Sequence, residues 1–141
     1  MKRIIIGLGS NIEPEQHLTS AAQALRQHFS DIIFSPVYRS QAVGMEGDDF
    51  LNACAMFTYG GGREALLSQL KGLEDQHGRD RSHGSWKPRT LDLDLLMQDD
   101  QVVDADIYKY AHIYVPIGHL IALKLPCEND INQLLKVNIC L

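Results

Sequence analysis

The spacing of hydrophobic positions changes several times along the chain, and each change marks an element. Residues 2–9 (Lys-Arg-Ile-Ile-Ile-Gly-Leu-Gly) form a short apolar run stopped by Gly9-Ser10-Asn11, the pattern of a buried strand. From Pro14, which a first helical turn tolerates, Leu18, Ala21, Ala22 and Leu25 recur at helical spacing and predict a helix over 14–29. Residues 31–39 return to strand character, and a loop containing Gly and Asp covers 40–49. Residues 50–58 alternate as a strand. After Gly60-Gly61-Gly62, the residues Leu66, Leu67, Leu70 and Leu73 mark a second helix ending near Gly78, and Thr90–Met97 reads as a central strand.

The order is β-α-β-β-α-β, with both helices able to pack on one face of an antiparallel sheet. It predicts an α+β protein with a ferredoxin-like core, an antiparallel sheet with helices packed on its faces. Beyond residue 98 the pattern weakens: 98–112 read as a small hairpin or loop, and 117–125 as a short helix or strand. No internal repeat, low-complexity tract or linker is visible, so a single domain over 1–141 is expected.

The densest chemistry lies in Pro88-Arg89-Thr90-Leu91-Asp92-Leu93-Asp94-Leu95-Leu96. On a strand, Asp92 and Asp94 share one face while Leu91, Leu93 and Leu95 share the other. Two carboxylates on one face repel each other unless something positive sits between them, and Mg²⁺ typically uses one or two carboxylates plus substrate phosphates. A bare D-x-D is more often a solvated edge strand. Arg79, Arg81, Lys87 and Arg89 change that balance, because they lie just upstream on one loop and guanidinium groups match phosphate oxygens. A basic loop beside paired carboxylates suits phosphoryl transfer, in which a protein mainly positions groups and neutralises charge.

Overall charge sharpens this picture. The net charge of −5 argues against bulk attraction to nucleic acid or anionic membrane, yet residues 79–89 hold four of the thirteen basic residues. An acidic protein with one compact basic loop suits a small polyanionic substrate. Hydrophobic residues at 45% and charged residues at 22% are ordinary globular composition. Neither a membrane span nor a signal peptide is legible, and Cys54, Cys127 and Cys140 lack metal-ligand spacing. A cytoplasmic protein with reduced thiols is expected.

Gly9-Ser10-Asn11, Tyr38-Arg39-Ser40, Phe50-Leu51-Asn52-Ala53, Glu74 with Gly78-Arg79-Asp80-Arg81, and Trp86-Lys87-Pro88-Arg89-Thr90-Leu91-Asp92-Leu93-Asp94 follow one another in order. This succession, over roughly residues 3–98, resembles the signature of the hydroxymethyl-dihydropterin pyrophosphokinases. The resemblance implies transfer of the terminal pyrophosphoryl unit of ATP to the hydroxymethyl group of 6-hydroxymethyl-7,8-dihydropterin in folate biosynthesis, releasing AMP, with ATP as co-substrate and two Mg²⁺ ions. It implies that Asp92 and Asp94 ligate both metals, with Asp92 also near the pterin. Arg79 and Arg89 would hold the phosphates as catalytic residues, with Arg81 assisting. Glu74, Leu95 and His112 would contact the nucleotide. Trp86 reads equally as a lid that closes over the site and as a hydrophobe that anchors its loop. The pterin would lie against Phe50, with Asn52 on its ring edge, Ser40 and Val43 adding loop contacts, and Leu120 at the second wall. A mid-strand Asn on an apolar stretch needs a polar partner in any case.

The chain departs from the family pattern at three places. Lys87 replaces a glycine between Trp86 and Pro88, where it could make up part of a nucleotide-binding charge. Gly118 and Leu120 stand where the family carries an arginine and a phenylalanine, and the last thirty residues match poorly. Two same-site alternatives therefore stand beside the main reading: transfer to a different acceptor, and nucleotide or pterin binding without turnover. A ferredoxin-like interaction module is a third. The expected partners are small molecules, with no nucleic acid and no membrane, and the chain can work as a monomer or a homodimer.

Overall fold

The structure is a computed structural model that describes residues 1–40, 49–77, 91–99, 101–108, 110–121, 135–137, 139 and 141. Its element order is β1 (Lys2–Ser10), α1 (Pro14–His28), β2 (Ile33–Phe34), β3 (Val37–Ser40), β4 (Phe50–Tyr59), α2 (Arg63–Gln76), β5 (Asp92–Gln98), β6 (Gln101–Val102), a 3₁₀ turn (Ala105–Tyr108), α3 (Ala111–Gly118) and β7 (Leu135–Val137). The seven strands form one sheet in the order β6-β5-β1-β4-β3-β7, with β2 also paired to β4. Each recorded pairing is antiparallel, so the expected α+β architecture is the one observed.

Alternation along the central strands divides the residues between two faces. Ile4, Ile6 and Leu8 of β1, Leu51, Ala53, Ala55 and Phe57 of β4, and Leu93 and Leu95 of β5 all point to one side. There they meet Leu18, Ala21, Ala22 and Leu25 of α1 and Leu66, Leu70 and Leu73 of α2. Both long helices share this face because their apolar stripes recur at helical spacing, and each fully buried leucine contributes about 1.5–3 kcal/mol. Phe29, just past α1, stacks on Phe57 with centroids 3.9 Å apart.

The opposite face carries a smaller core of Ile5, Cys54, Leu96, Met97, Ile107 and Ile117 beneath α3. Met97 reaches it through a bulge. Ile6 pairs with Leu95 while Ile5 pairs with Met97, so Leu96 is an extra residue in β5. The Leu96 carbonyl turns outward and accepts hydrogen bonds from the N–H groups of Val103 (2.8 Å) and Asp104 (3.2 Å).

Three sequence expectations need correction. The strand expected over 31–39 is broken into β2 and β3 at Ser35-Pro36, because proline brings no N–H to the ladder. Ser35 repairs the gap: its hydroxyl accepts the Cys54 N–H at 2.8 Å and its own N–H donates to the Cys54 carbonyl at 2.8 Å. The segment 98–112 contains the short β5–β6 hairpin and the 3₁₀ turn, but α3 already begins at Ala111. The helix-or-strand expected at 117–125 is, within the described residues, the end of α3 and a following turn. Pro116 lies inside α3, which hid the helix from a reading of its spacing.

Candidate active site

The site forms where the sheet gives up its side chains. In β1 the residues facing α3 include Gly7 and Gly9. Gly9 is paired with Asn52 on β4 and with Asp92 on β5, and Gly7 with Cys54 and Asp94. Paired residues share a face, so two rows of three residues cross the three central strands side by side. A Cβ at Gly9 would stand 3.4 Å from Asn52 Oδ1 and 3.7 Å from a ring carbon of Phe50, and one at Gly7 would stand 3.2 Å from Leu96 Cδ1. Glycine at both positions keeps the floor open.

Above this floor lies a cavity of about 150 Å³. Its lining includes Ser40, Phe50, Asn52, Asp92, Asp94 and His112, six residues the sequence offers for the site, together with Gly7, Gly9, Cys54, Leu96 and Ile113, to which it gives no site role. The G-x-G in an otherwise aliphatic strand was the available signal for the floor. Gly9 entered the sequence reading as the end of a strand and as part of the Gly9-Ser10-Asn11 motif, without a place in the floor.

Asn52 finds the partner its burial demands. Its Nδ2 donates to Ser40 Oγ at 2.8 Å and to the Tyr38 carbonyl at 3.4 Å. Both contacts lie on β3, so the amide is oriented with its carbonyl Oδ1 toward Gly9 and the cavity. Cys54 is buried, and that burial pushes its thiol well above the usual range, so it stays protonated and unreactive. Its Sγ lies 3.8 Å from the Ile113 carbonyl, where α3 meets the sheet. The His112 ring stacks on Tyr110, with centroids 5.2 Å apart and an interplanar angle of 27°. Burial lowers the His112 pKa, opposed in part by the negative charge of Asp106, so the imidazole is neutral near pH 7.

Three residues expected at the site do not line this cavity. Glu74 is buried, and its Oε2 accepts the Leu93 N–H at 2.9 Å, so its carboxylate braces α2 against the backbone of β5. Leu95 points into the core under α1 and α2, on the face opposite the carboxylates. Leu120 packs against the smaller core near α3 instead of forming a cavity wall. Val43, Arg79, Arg81, Trp86, Lys87 and Arg89 lie outside the described residues.

The donor set fits a hard cation. Asp92 and Asp94 stand on one face at alternate positions of a single strand, over a floor without side chains. Among the described residues no group of three or more His, Cys, Asp and Glu is arranged to cage a metal ion. Two carboxylates suit Mg²⁺, which takes its remaining ligands from water and substrate phosphates.

Comparison with known proteins agrees with this geometry. The family model described as 7,8-dihydro-6-hydroxymethylpterin-pyrophosphokinase matches residues 5–127. The chain belongs to this family. A 2-amino-4-hydroxy-6-hydroxymethyldihydropteridine pyrophosphokinase of Pseudomonas putida is 36% identical over 116 residues, covering 80% of this chain and 96% of the relative. Enzymes of the same name from Pseudomonas aeruginosa (31% over 119 residues, 82% and 73% covered) and Aquifex aeolicus (29% over 117 residues, 82% and 72% covered) are similar as well. The pyrophosphokinase match extends past residue 98, where the sequence motifs gave out, and so takes in α3 and its cavity-lining His112.

Proposed function

We propose that the chain transfers the pyrophosphoryl group of ATP to the hydroxymethyl group of 6-hydroxymethyl-7,8-dihydropterin, in folate biosynthesis. The hydroxymethyl oxygen attacks the β-phosphorus, the bond from that phosphorus to the α–β bridging oxygen breaks, AMP leaves and the hydroxyl proton passes to solvent. The observation that carries this reading is one cavity bordered by both halves of the chemistry. Asp92 and Asp94 stand at one side of its floor, and Phe50, Asn52 and Ser40 at the other.

Asp92 and Asp94 would hold Mg²⁺, two ions in this reading. Bound there, Mg²⁺ neutralises phosphate charge and keeps the transferring group in line with its acceptor. Arg79 and Arg89, with Arg81, supply the complementary cations from the basic loop. On the acceptor side Phe50 offers a flat apolar surface, and Asn52, held by Ser40 and the Tyr38 carbonyl, presents Oδ1 to ring N–H groups. The small-molecule substrates need no membrane, and no helix among the described residues is long and apolar enough to cross one.

The test is AMP formation from ATP and Mg²⁺ with and without the pterin, in the natural chain and in Asp94→Ala. Pterin-dependent AMP that disappears in the variant is expected. AMP release that is indifferent to pterin, or dependent on some other hydroxymethyl heterocycle, would overturn the proposed acceptor.

A further inference from the structure

Resting on the pyrophosphokinase reading, we propose that His77 is a positioning residue. By tying the end of α2 to α1, it fixes the point from which the arginine-bearing stretch leaves the helix, and so supports turnover. Chain order makes that point matter. Arg79, Arg81, Lys87 and Arg89 lie between His77, which caps α2, and Leu91, which is buried just before Asp92.

The end of α2 holds both ends of that stretch. On the far side, the Glu74 carboxylate accepts the N–H of Leu93, between Asp92 and Asp94, at 2.9 Å. On the near side stands His77, three residues along the helix from Glu74. Its N–H closes the helix on the carbonyls of Leu73 (3.2 Å) and Glu74 (3.1 Å). Its half-buried ring is bonded at both nitrogens. Nδ1 faces the Leu73 carbonyl at 2.8 Å, and a carbonyl only accepts, so Nδ1 carries the proton. Nε2 of the neutral ring is left to accept the Ser20 hydroxyl of α1, 3.0 Å away.

A second tie leads from the same ring to the floor of the cavity. The His17 ring of α1 meets His77 edge-on, with centroids 6.1 Å apart and an interplanar angle of 71°. His17 Nδ1 donates to the Ile12 carbonyl. That carbonyl also accepts, at 3.2 Å, the hydroxyl of Ser10, the last residue of β1 and the neighbour of Gly9. Capping a helix needs no bond to a second helix, whereas holding its end sideways does. No more than about 7 Å of chain separates Arg79 from His77, so a shift of the helix end is passed on to it. Misplacing a catalytic group by about 1 Å is costly in rate.

The test is steady-state AMP formation from ATP, Mg²⁺ and 6-hydroxymethyl-7,8-dihydropterin, with denaturation midpoints measured alongside. His77→Ala is expected to lower kcat about two- to tenfold with KM for the pterin unchanged. His77→Gln, which can donate to the Leu73 carbonyl and accept from Ser20, should recover most of that loss. Ser20→Ala breaks the same bond from an exposed position and should lower kcat too, which keeps the test open if His77→Ala folds badly. In an Arg79→Ala background, His77→Ala should cost nothing further, because the arginine it positions is gone. Natural kcat in Ser20→Ala and in folded His77→Ala would overturn the proposal. So would a loss confined to the denaturation midpoint, or an undiminished His77→Ala effect in the Arg79→Ala background. A natural chain without pterin-dependent AMP release would instead bring down the reading on which the proposal stands.

Discussion

The two faces of the sheet use the same strands for opposite purposes. Toward α1 and α2, Ile4, Ile6 and Leu8 of β1, Leu51, Ala53, Ala55 and Phe57 of β4, and Leu93 and Leu95 of β5 are aliphatic or aromatic and lie buried in the larger core. Toward α3, the alternate positions of the same strands carry Gly7, Gly9, Asn52, Asp92 and Asp94, and among the described residues the apolar packing on this face lies at one end. One face supplies stability, and the other keeps an opening that costs it packing. A site can therefore be built from every second residue of three strands, provided the intervening residues hold the fold.

If that division is right, substitutions on the two faces should separate cleanly. The largest effect is expected from Asp94→Ala: turnover should fall about 10³-fold, about 4 kcal/mol of barrier, while the denaturation midpoint barely moves. Phe57→Ala on the other face should do the reverse. Phe57 is buried against Phe29, so the variant should lose about 3–5 kcal/mol in urea denaturation while surviving folded molecules retain their ligand affinities. A folded Phe57→Ala protein with poor pterin binding would show that the faces are coupled.

Glu74 tests the boundary between the faces. Glu74→Ala leaves the Leu93 N–H without its carboxylate and should cost about 1–3 kcal/mol of stability, with ATP affinity little changed. Lost ATP affinity at unchanged stability would instead restore the nucleotide contact that the sequence suggested. The smallest effect is electrostatic. Because burial lowers the His112 pKa from 6.5, the unfolded chain binds more protons than the folded one as pH falls below that value. Stability should thus decline from pH 7 toward pH 5 by an increment that is absent in His112→Asn, read from denaturation midpoints across that range.

The packed face was readable in the sequence because its rules are periodic. Leu18 to Leu25 and Leu66 to Leu73 repeat at helical spacing, Asp92 and Asp94 alternate with leucines, and the helices and central strands follow within a residue or two. The open face was readable only where residue type carried meaning: a mid-strand Asn52, paired carboxylates, an aromatic at Phe50. The floor role of Gly7 and Gly9 is not legible in the sequence, because their contribution is an absence of side chain. Leu120 was assigned to a wall by position along the chain, but α3 starts earlier than its spacing suggested and carries that position into the smaller core. Glu74 was read as a nucleotide contact, and nothing in its local sequence shows that α2 brings its carboxylate onto the backbone of β5.

The bulge at Leu96 has a consequence for how the chain can vary. Leu95 and Met97 already face opposite sides, opposite Ile6 and Ile5, so removing the residue between them would leave a strand of ordinary alternation with Asp92 and Asp94 still facing the cavity. What would be lost is a leucine whose methyl group stands 3.2 Å from where a Cβ at Gly7 would be. Gly7 and Leu96 thus behave as a donor and a recipient of one side chain, transferred from the central strand to its neighbour. A shortened strand and a larger residue at position 7 should each be harmful alone and should compensate when combined. Length variation in this strand is then a change of address for a hydrophobic group, with the metal-binding frame upstream left in place.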